Sequence, residues 1–184
     1  MAVSKVERAL TRLVPSPEEF SIETWASLLE KFEERAIQFV GLDLPPGYFG
    51  ACIIVTEASE GVGRVWYPLT EYIVYSNDLA PIHREHVKAH ELAHIALGHP
   101  TLILSPEEFV NCSPELIHCR SLSHLCCRAA DPHDQASFVR DDEDAEMLTR
   151  LVYQRVLVAR QHRGLRQQSS QEEFERGIQR LGIR

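Results

Sequence analysis

The sequence predicts an α+β fold: two helices, then a small antiparallel sheet of three or four strands packed on one central helix, closed by a long helix in a mostly helical domain. Three observations predict it. Residues 4 to 35 carry apolar side chains at helical spacing, residues 36 to 76 break into short β-branched and aromatic runs between prolines and glycines, and from residue 81 the helical period returns in segments too long for strands.

In chain order, Val6, Ala9, Leu10 and Leu13 form one stripe over residues 4 to 13, and Pro15 and Pro17 stop and restart the chain. Ser16-Pro17-Glu18 opens a second helix with Phe20, Trp25, Leu28, Leu29 and Phe32 on a wide apolar face, ending near Arg35. The strands are expected in AIQFVGLDL, in YFGACIIVTE and from Arg64 through TEYIVYS, with Gly61 and Gly63 supplying a hairpin turn. Thr70 to Tyr75, a β-branched and aromatic run, is expected to be an edge strand. A helix follows from Pro81 to Leu97, closed by Gly98 and Pro100, and another helical region runs from Ser105 to about Ala130. DPHDQ reads as a loop, residues 141 to 163 as a long helix ended by Gly164, and Gln167 to Gln171 as a polar linker to a last short helix. The expected division is therefore one domain over 1–163 and an appendage over 164–184.

Composition narrows the classes. With 184 residues, 44% hydrophobic and 25% charged, the chain matches ordinary globular usage, and no stretch approaches the roughly 20 apolar residues of a membrane span. Glu7 and Arg8 fall where a secretory signal needs its apolar run, so a cytoplasmic protein with reduced thiols is expected. Residues 1–149 hold 11 Lys+Arg against 24 Asp+Glu, and residues 150–184 hold 8 against 3. An acidic body repels a phosphate backbone, and the basic end lacks interleaved aromatics, which argues against direct nucleic-acid binding.

Chemistry concentrates in His90-Glu91-Leu92-Ala93-His94. Two histidines four apart stand one above the other on a helix face, so both imidazoles can reach one zinc ion. The glutamate between them is turned about 100° away, where it can serve as base. That is the pattern of metal-assisted peptide hydrolysis: zinc acidifies a water and polarises the scissile carbonyl, and Glu91 moves the proton to the leaving amine. The bland alternative is a chance pentapeptide, but Leu92, Ala93, Ala96 and Leu97 make this a buried helix, whose imidazoles need a partner. Leu97 and Pro100 stand where a metzincin needs glycine and a third histidine, which excludes that subclass. His99 reads as a helix cap, and His83 and His86 as solvent-side or ligand-supporting histidines.

A third ligand is expected from Asp141-Asp142-Glu143-Asp144-Ala145-Glu146. In a helix Asp142 and Glu146 share a stripe beside the apolar positions Ala145, Val152 and Val156, and Glu143 turns away. Asp141 with Asp144 reads as an N-terminal capping pair. The alternative is acidic residues that complement a helix N-terminus.

These residues, HELAHIALGH and DEDAEML, behind two helices and a small sheet, resemble the ImmA/IrrE family of metallopeptidases over residues 17 to about 158. The resemblance implies a zincin-like domain and a zinc endopeptidase with His90, His94 and Asp142 as metal ligands, Asp142 standing where the family has glutamate. It implies Glu91 as the catalytic residue and Glu146 as the group that orients a ligand histidine. It also implies a helix-turn-helix repressor as the protein partner and substrate, in a stress-response or toxin-antitoxin setting. The competing reading is a regulator or toxin-antitoxin component that binds its partner, keeps zinc structurally and cuts nothing. Tyr153, Tyr75 and His133 are candidates to stabilise an oxyanion. Cys112, Cys119 and Cys126 recur every seven residues, a spacing of about 10 Å along a helix, too wide for one ion, so they read as core thiols.

Overall fold

A computed structural model describes residues 4–44, 46–47, 49–58, 66–104 and 132–180 of the chain. The first two helices start by the same device. α1 (Lys5–Arg12) and α2 (Ile22–Glu33) follow Ser4 and Ser21, each of which exchanges hydrogen bonds with the residue three positions on, Glu7 and Thr24 respectively. The Ser21–Thr24 box explains why α2 begins at Ile22 and not at Pro17. Residues 17–19 form a turn. Trp25, fully buried, donates its indole N–H to the Leu13 carbonyl at 2.7 Å and so fixes α2 against the end of α1.

The sheet comprises β1 (Ala36–Leu42), β2 (Gly50–Ala58), β3 (Trp66–Ser76) and β4 (Leu102–Leu104), in the order β1-β3-β2-β4. It is mixed, which corrects the expected antiparallel sheet. Only β2 and β3 are antiparallel; β1 pairs with β3 and β4 with β2 in parallel. The reason is the order of insertion. β2 reverses against β1 without pairing to it, and β3 returns between the two, parallel to β1. Short strands in either sense carry the same side-chain alternation, so the sequence pattern does not separate them. The Thr70–Tyr75 run is accordingly central and not the expected edge. The turn glycines Gly61 and Gly63 and the helical region expected over 105 to 130, with Cys112, Cys119, Cys126 and Cys127, lie outside the described residues.

α3 (Pro81–Ala96) crosses one face of the sheet, and α4 (Pro132–Arg180) packs on α3. α4 differs from expectation at both ends. It begins at Pro132, inside the segment read as a loop, because proline at the first helical turn forfeits only an N–H that has no partner anyway. It runs through Gly164 and the supposed linker, since one glycine costs a helix about 1 kcal/mol and its neighbours are good helix formers.

The face of the sheet towards the helices contributes Ile37, Ile73 and Cys52 to a core with Trp25, Leu29, Ala89, Leu92, Ala93, Ala145, Leu148 and Val152. Ile53, Val74 and Leu104 form a smaller cluster on the other face. Alternation also turns Glu71 inward, where only 1% of it is exposed. There Arg35 Nε lies 2.9 Å from one carboxylate oxygen and the Cys52 thiol donates to the other at 3.1 Å. The Arg35 contact is off the hydrogen-bond axis, so it acts as an ion pair that offsets burial of the carboxylate. Among the described residues no helix is long and apolar enough to cross a membrane.

At Gly50, the first residue of β2, the sheet meets α3 closely. A Cβ there would overlap Val87 Cγ1 and stand 3.0 Å from the Val74 carbonyl oxygen. Gly50→Ala should therefore cost about 1–3 kcal/mol in denaturant unfolding, and most of that loss should disappear in a Val87→Ala background. Equal losses in both backgrounds would mean that the backbone, not Val87, sets the limit.

Candidate metal centre

α3 is buried on one face by Ala89, Leu92, Ala93 and Ala96, which leaves His90 and His94 on its flank towards α4. From the other side α4 buries Ala145, Leu148 and Val152, and this turns Asp142, three residues before Ala145, to the same seam. Thr149 adds a hydroxyl contact to the Ala89 carbonyl at 3.5 Å, which pins the two helices in register.

The result is a cluster of three donor atoms. His90 Nε2 lies 3.1 Å from Asp142 Oδ1 and 3.1 Å from His94 Nε2, and His94 Nε2 lies 3.8 Å from the same oxygen. Three atoms at those separations lie on a circle of radius about 2.0 Å, close to the roughly 2.0–2.2 Å bonds that zinc makes to imidazole nitrogen and carboxylate oxygen. Two imidazoles and a carboxylate are also a donor set that suits a divalent transition metal. The group His90, His94 and Asp142 can hold a metal ion. The side chains of His90 and His94 are 19% and 18% exposed and that of Asp142 is 58% exposed, so the cluster opens to solvent on the α4 side.

Burial, and then the neighbouring His90 and His99, pushes His94 down to about 3, which keeps its imidazole neutral at physiological pH, as a ligand must be. Glu91 lies under the start of β2, its Oε1 3.4 Å from the place a Cβ on Gly50 would take. Burial first, and the charge of Asp142 second, raises its carboxyl to about 8. A carboxylate so destabilised is a strong proton acceptor.

The predicted Glu146 stands behind His90. Its Oε2 is 3.6 Å from His90 Nδ1 and 3.3 Å from His86 Nε2, and its Oε1 accepts from Arg150 Nε at 2.8 Å. Glu143, as expected, is not part of the cluster. Tyr153 is tied to α3, its hydroxyl donating to the Glu85 carbonyl at 3.2 Å, and Tyr75 stacks under the Lys88 ammonium at 5.0 Å. The His133 side chain lies outside the described residues. Cys52 is a free thiol on the sheet below α3; burial, then Glu71 and Glu91, pushes it well above the usual thiol range, which makes it unreactive.

Two expectations need correction. Asp141 and Asp144 do not cap a helix, because α4 starts more than two turns upstream. His99 is not a charged imidazole set against the helix dipole either, since burial lowers its pKa. Its side chain is 2% exposed, its Nδ1 lies 3.0 Å from His94 Nδ1, and its Nε2 faces Asp141 Oδ1 at 3.6 Å. The signal in the sequence was Gly98, the residue that folds the chain back onto α3.

No family model, curated protein or solved structure matches the chain.

The raised Glu91 carboxyl has a consequence for stability. Between about pH 5 and 8 an unfolded Glu91 is ionised while the folded one in metal-free protein retains its proton. The folded state then binds more protons, so this group makes stability fall as pH rises across that window. Urea unfolding of metal-free protein should show Glu91→Gln gaining on the wild type from pH 5 to pH 8. Parallel pH profiles would show that Glu91 is solvated and not buried as described.

Proposed function

We propose that the chain is a zinc-dependent endopeptidase of the ImmA/IrrE type, acting on a peptide bond of a protein partner, with a helix-turn-helix repressor as the substrate class. The observation that carries this reading is the convergence of His90 Nε2, His94 Nε2 and Asp142 Oδ1 next to a buried, proton-accepting Glu91. A purely structural zinc site is four-coordinate and closed and has no use for a base. Here three protein donors and an open flank leave room for a substrate.

His90, His94 and Asp142 would hold the ion, with Glu146 orienting His90. When bound, zinc supplies a Lewis acid that acidifies water and polarises a carbonyl. Glu91 accepts the proton of the attacking water at its carboxylate and returns it to the amine that leaves. β4 covers only Ile53–Val55 of β2, and among the described residues no strand pairs with the outer edge of Gly50–Cys52. That edge starts beside Glu91, and an extended substrate segment would find its backbone partners there. The resemblance in HELAHIALGH and DEDAEML supports the repressor as substrate class, and the acidic body suits a partner whose basic DNA-binding face is free of DNA.

Purified protein should contain one equivalent of zinc, lost in His90→Ala, in His94→Ala and in Asp142→Ala; zinc unchanged in all three variants would place the metal elsewhere. Glu91→Gln should keep zinc and fold and slow cleavage of a partner repressor by roughly 10²- to 10⁴-fold. If zinc-loaded wild type co-purifies with the repressor and leaves it uncut, the peptidase reading falls and the non-proteolytic regulator stands.

A further inference from the structure

The metal-centre reading assigns no work to His99, yet the structure spends a buried imidazole on it. α3 ends in a Schellman turn. Gly98 sits at φ 59°, the Gly98 N–H donates to the Ile95 carbonyl at 2.9 Å, and the His99 N–H donates to the His94 carbonyl at 3.0 Å. In this turn the residue after the glycine is brought back against the residue five positions before it, a contact that is usually apolar. Here both residues are histidines.

Capping does not account for the ring. The backbone N–H of His99 makes the capping bond, and any residue but proline supplies that. Ligation does not account for it either, because His99 Nδ1 meets Nδ1 of His94, the nitrogen on the opposite side of the ring from the donor cluster.

What remains is control of where the His94 proton sits. Two neutral imidazoles with Nδ1 atoms 3.0 Å apart share one hydrogen between those atoms, which leaves two arrangements. If His99 donates, its Nε2 is bare and turns a buried lone pair towards the Asp141 carboxylate at 3.6 Å, and His94 carries its proton on Nε2, in the donor cluster. If His94 donates, its Nε2 is bare towards His90 and Asp142, and the His99 Nε2–H points at the carboxylate. The second arrangement gives the Asp141 carboxylate a hydrogen where the first gives it a lone pair. At the other end a bare His94 Nε2 faces the more exposed Asp142 carboxylate at 3.8 Å and can accept from His90 Nε2 at 3.1 Å, so the contact at the buried His99 Nε2 decides. Among the described residues His99 Nε2 has no hydrogen-bond partner, and the Asp141 carboxylate is the charge that faces it.

We propose that His99 is a positioning residue, held by Asp141, that fixes His94 with its proton on Nδ1 and its Nε2 lone pair directed at the metal position. This deepens the metal-centre reading and rests on it. Adjacent aspartates of α4 then serve opposite faces of His94, Asp142 beside its Nε2 and Asp141 behind the histidine that holds its Nδ1.

The test uses the full chain with His99→Leu, which fills the volume without an acceptor, and His99→Asn, whose Oδ1 can still accept from His94. Ring-nitrogen NMR of ¹⁵N-histidine-labelled, metal-free protein should show His94 protonated on Nδ1 in the wild type and in His99→Asn, and a mixture of tautomers in His99→Leu. Zinc titration against a competing chelator should show affinity about 10- to 100-fold weaker in His99→Leu and weakened by less than about tenfold in His99→Asn. Thermal unfolding of the metal-free variants separates loss of positioning from loss of fold. A wild-type His94 protonated on Nε2, or a His99→Leu variant with the wild-type tautomer and affinity, overturns the proposal. If the wild type takes up no zinc, or keeps it in His94→Ala, the metal-centre reading falls, and the NMR of the metal-free protein still decides whether His99 sets the tautomer.

Discussion

The whole site depends on the close approach of α3 and α4. His90 and His94 come from one helix and Asp142 from another, 48 residues beyond His94, so three donor atoms meet only if two helix surfaces touch with little between them. Small residues allow it: Ala89 and Ala93 on α3 face Ala145 and Thr149 on α4, all fully buried. A leucine at any of these places would separate the axes by more than the tolerance of a metal bond, which is a few tenths of an ångström. The alanines usually read as filler in such a motif therefore set the geometry, and the larger Leu92, Leu148 and Val152 around them supply the apolar burial that holds it.

Much of this was legible in the sequence, and the reason is that helix periodicity and short-range spacing are local. His90 and His94 at four apart, and Asp142 on one stripe with Glu146, needed only the 3.6-residue period to be placed on their faces, whereas the choice of Asp142 as third donor came from the resemblance. The order of elements through α3 was legible for the same reason. Strand direction was not, because whether β1 pairs with β2 or with β3 is settled by non-local contacts, and nothing in AIQFVGL distinguishes a parallel from an antiparallel neighbour. Glu71 was invisible for a related cause: one carboxylate in TEYIVYS reads as solvent-facing until the ladder shows that its face packs on the helices, with Arg35 arriving from the turn after α2.

His99 was misread for a different reason. Its distance from His94, five residues, has no meaning on an α-helix, where positions three and four apart meet. It acquires meaning only through the turn that Gly98 makes possible, since positive φ brings the chain back under the last turn of α3. A glycine directly after a metal-binding helix should accordingly be read together with the residue that follows it.

The acidic run of α4 is where the structure changes the weight of the alternatives most. At a helix start, Asp141, Asp142, Asp144 and Glu146 would be explained by the dipole and by unpaired N–H groups, and no ion would be needed. The dipole's influence fades within the first turn, and α4 has completed more than two turns before Asp141. Carboxylates this close together in a helix interior repel one another unless cations face them. Arg150 and His86 face Glu146, His90 faces Asp142 and Glu146, and His99 faces Asp141. Burial holds both His94 and His99 below the usual imidazole range, so these two rings add little positive charge. A divalent ion held by His90, His94 and Asp142 would supply positive charge at the point where the carboxylates and Glu91 are nearest. The same ion would relieve the pressure that Asp142 puts on Glu91, so the cluster that can hold a metal and the buried carboxyl beside it are linked through one electrostatic balance.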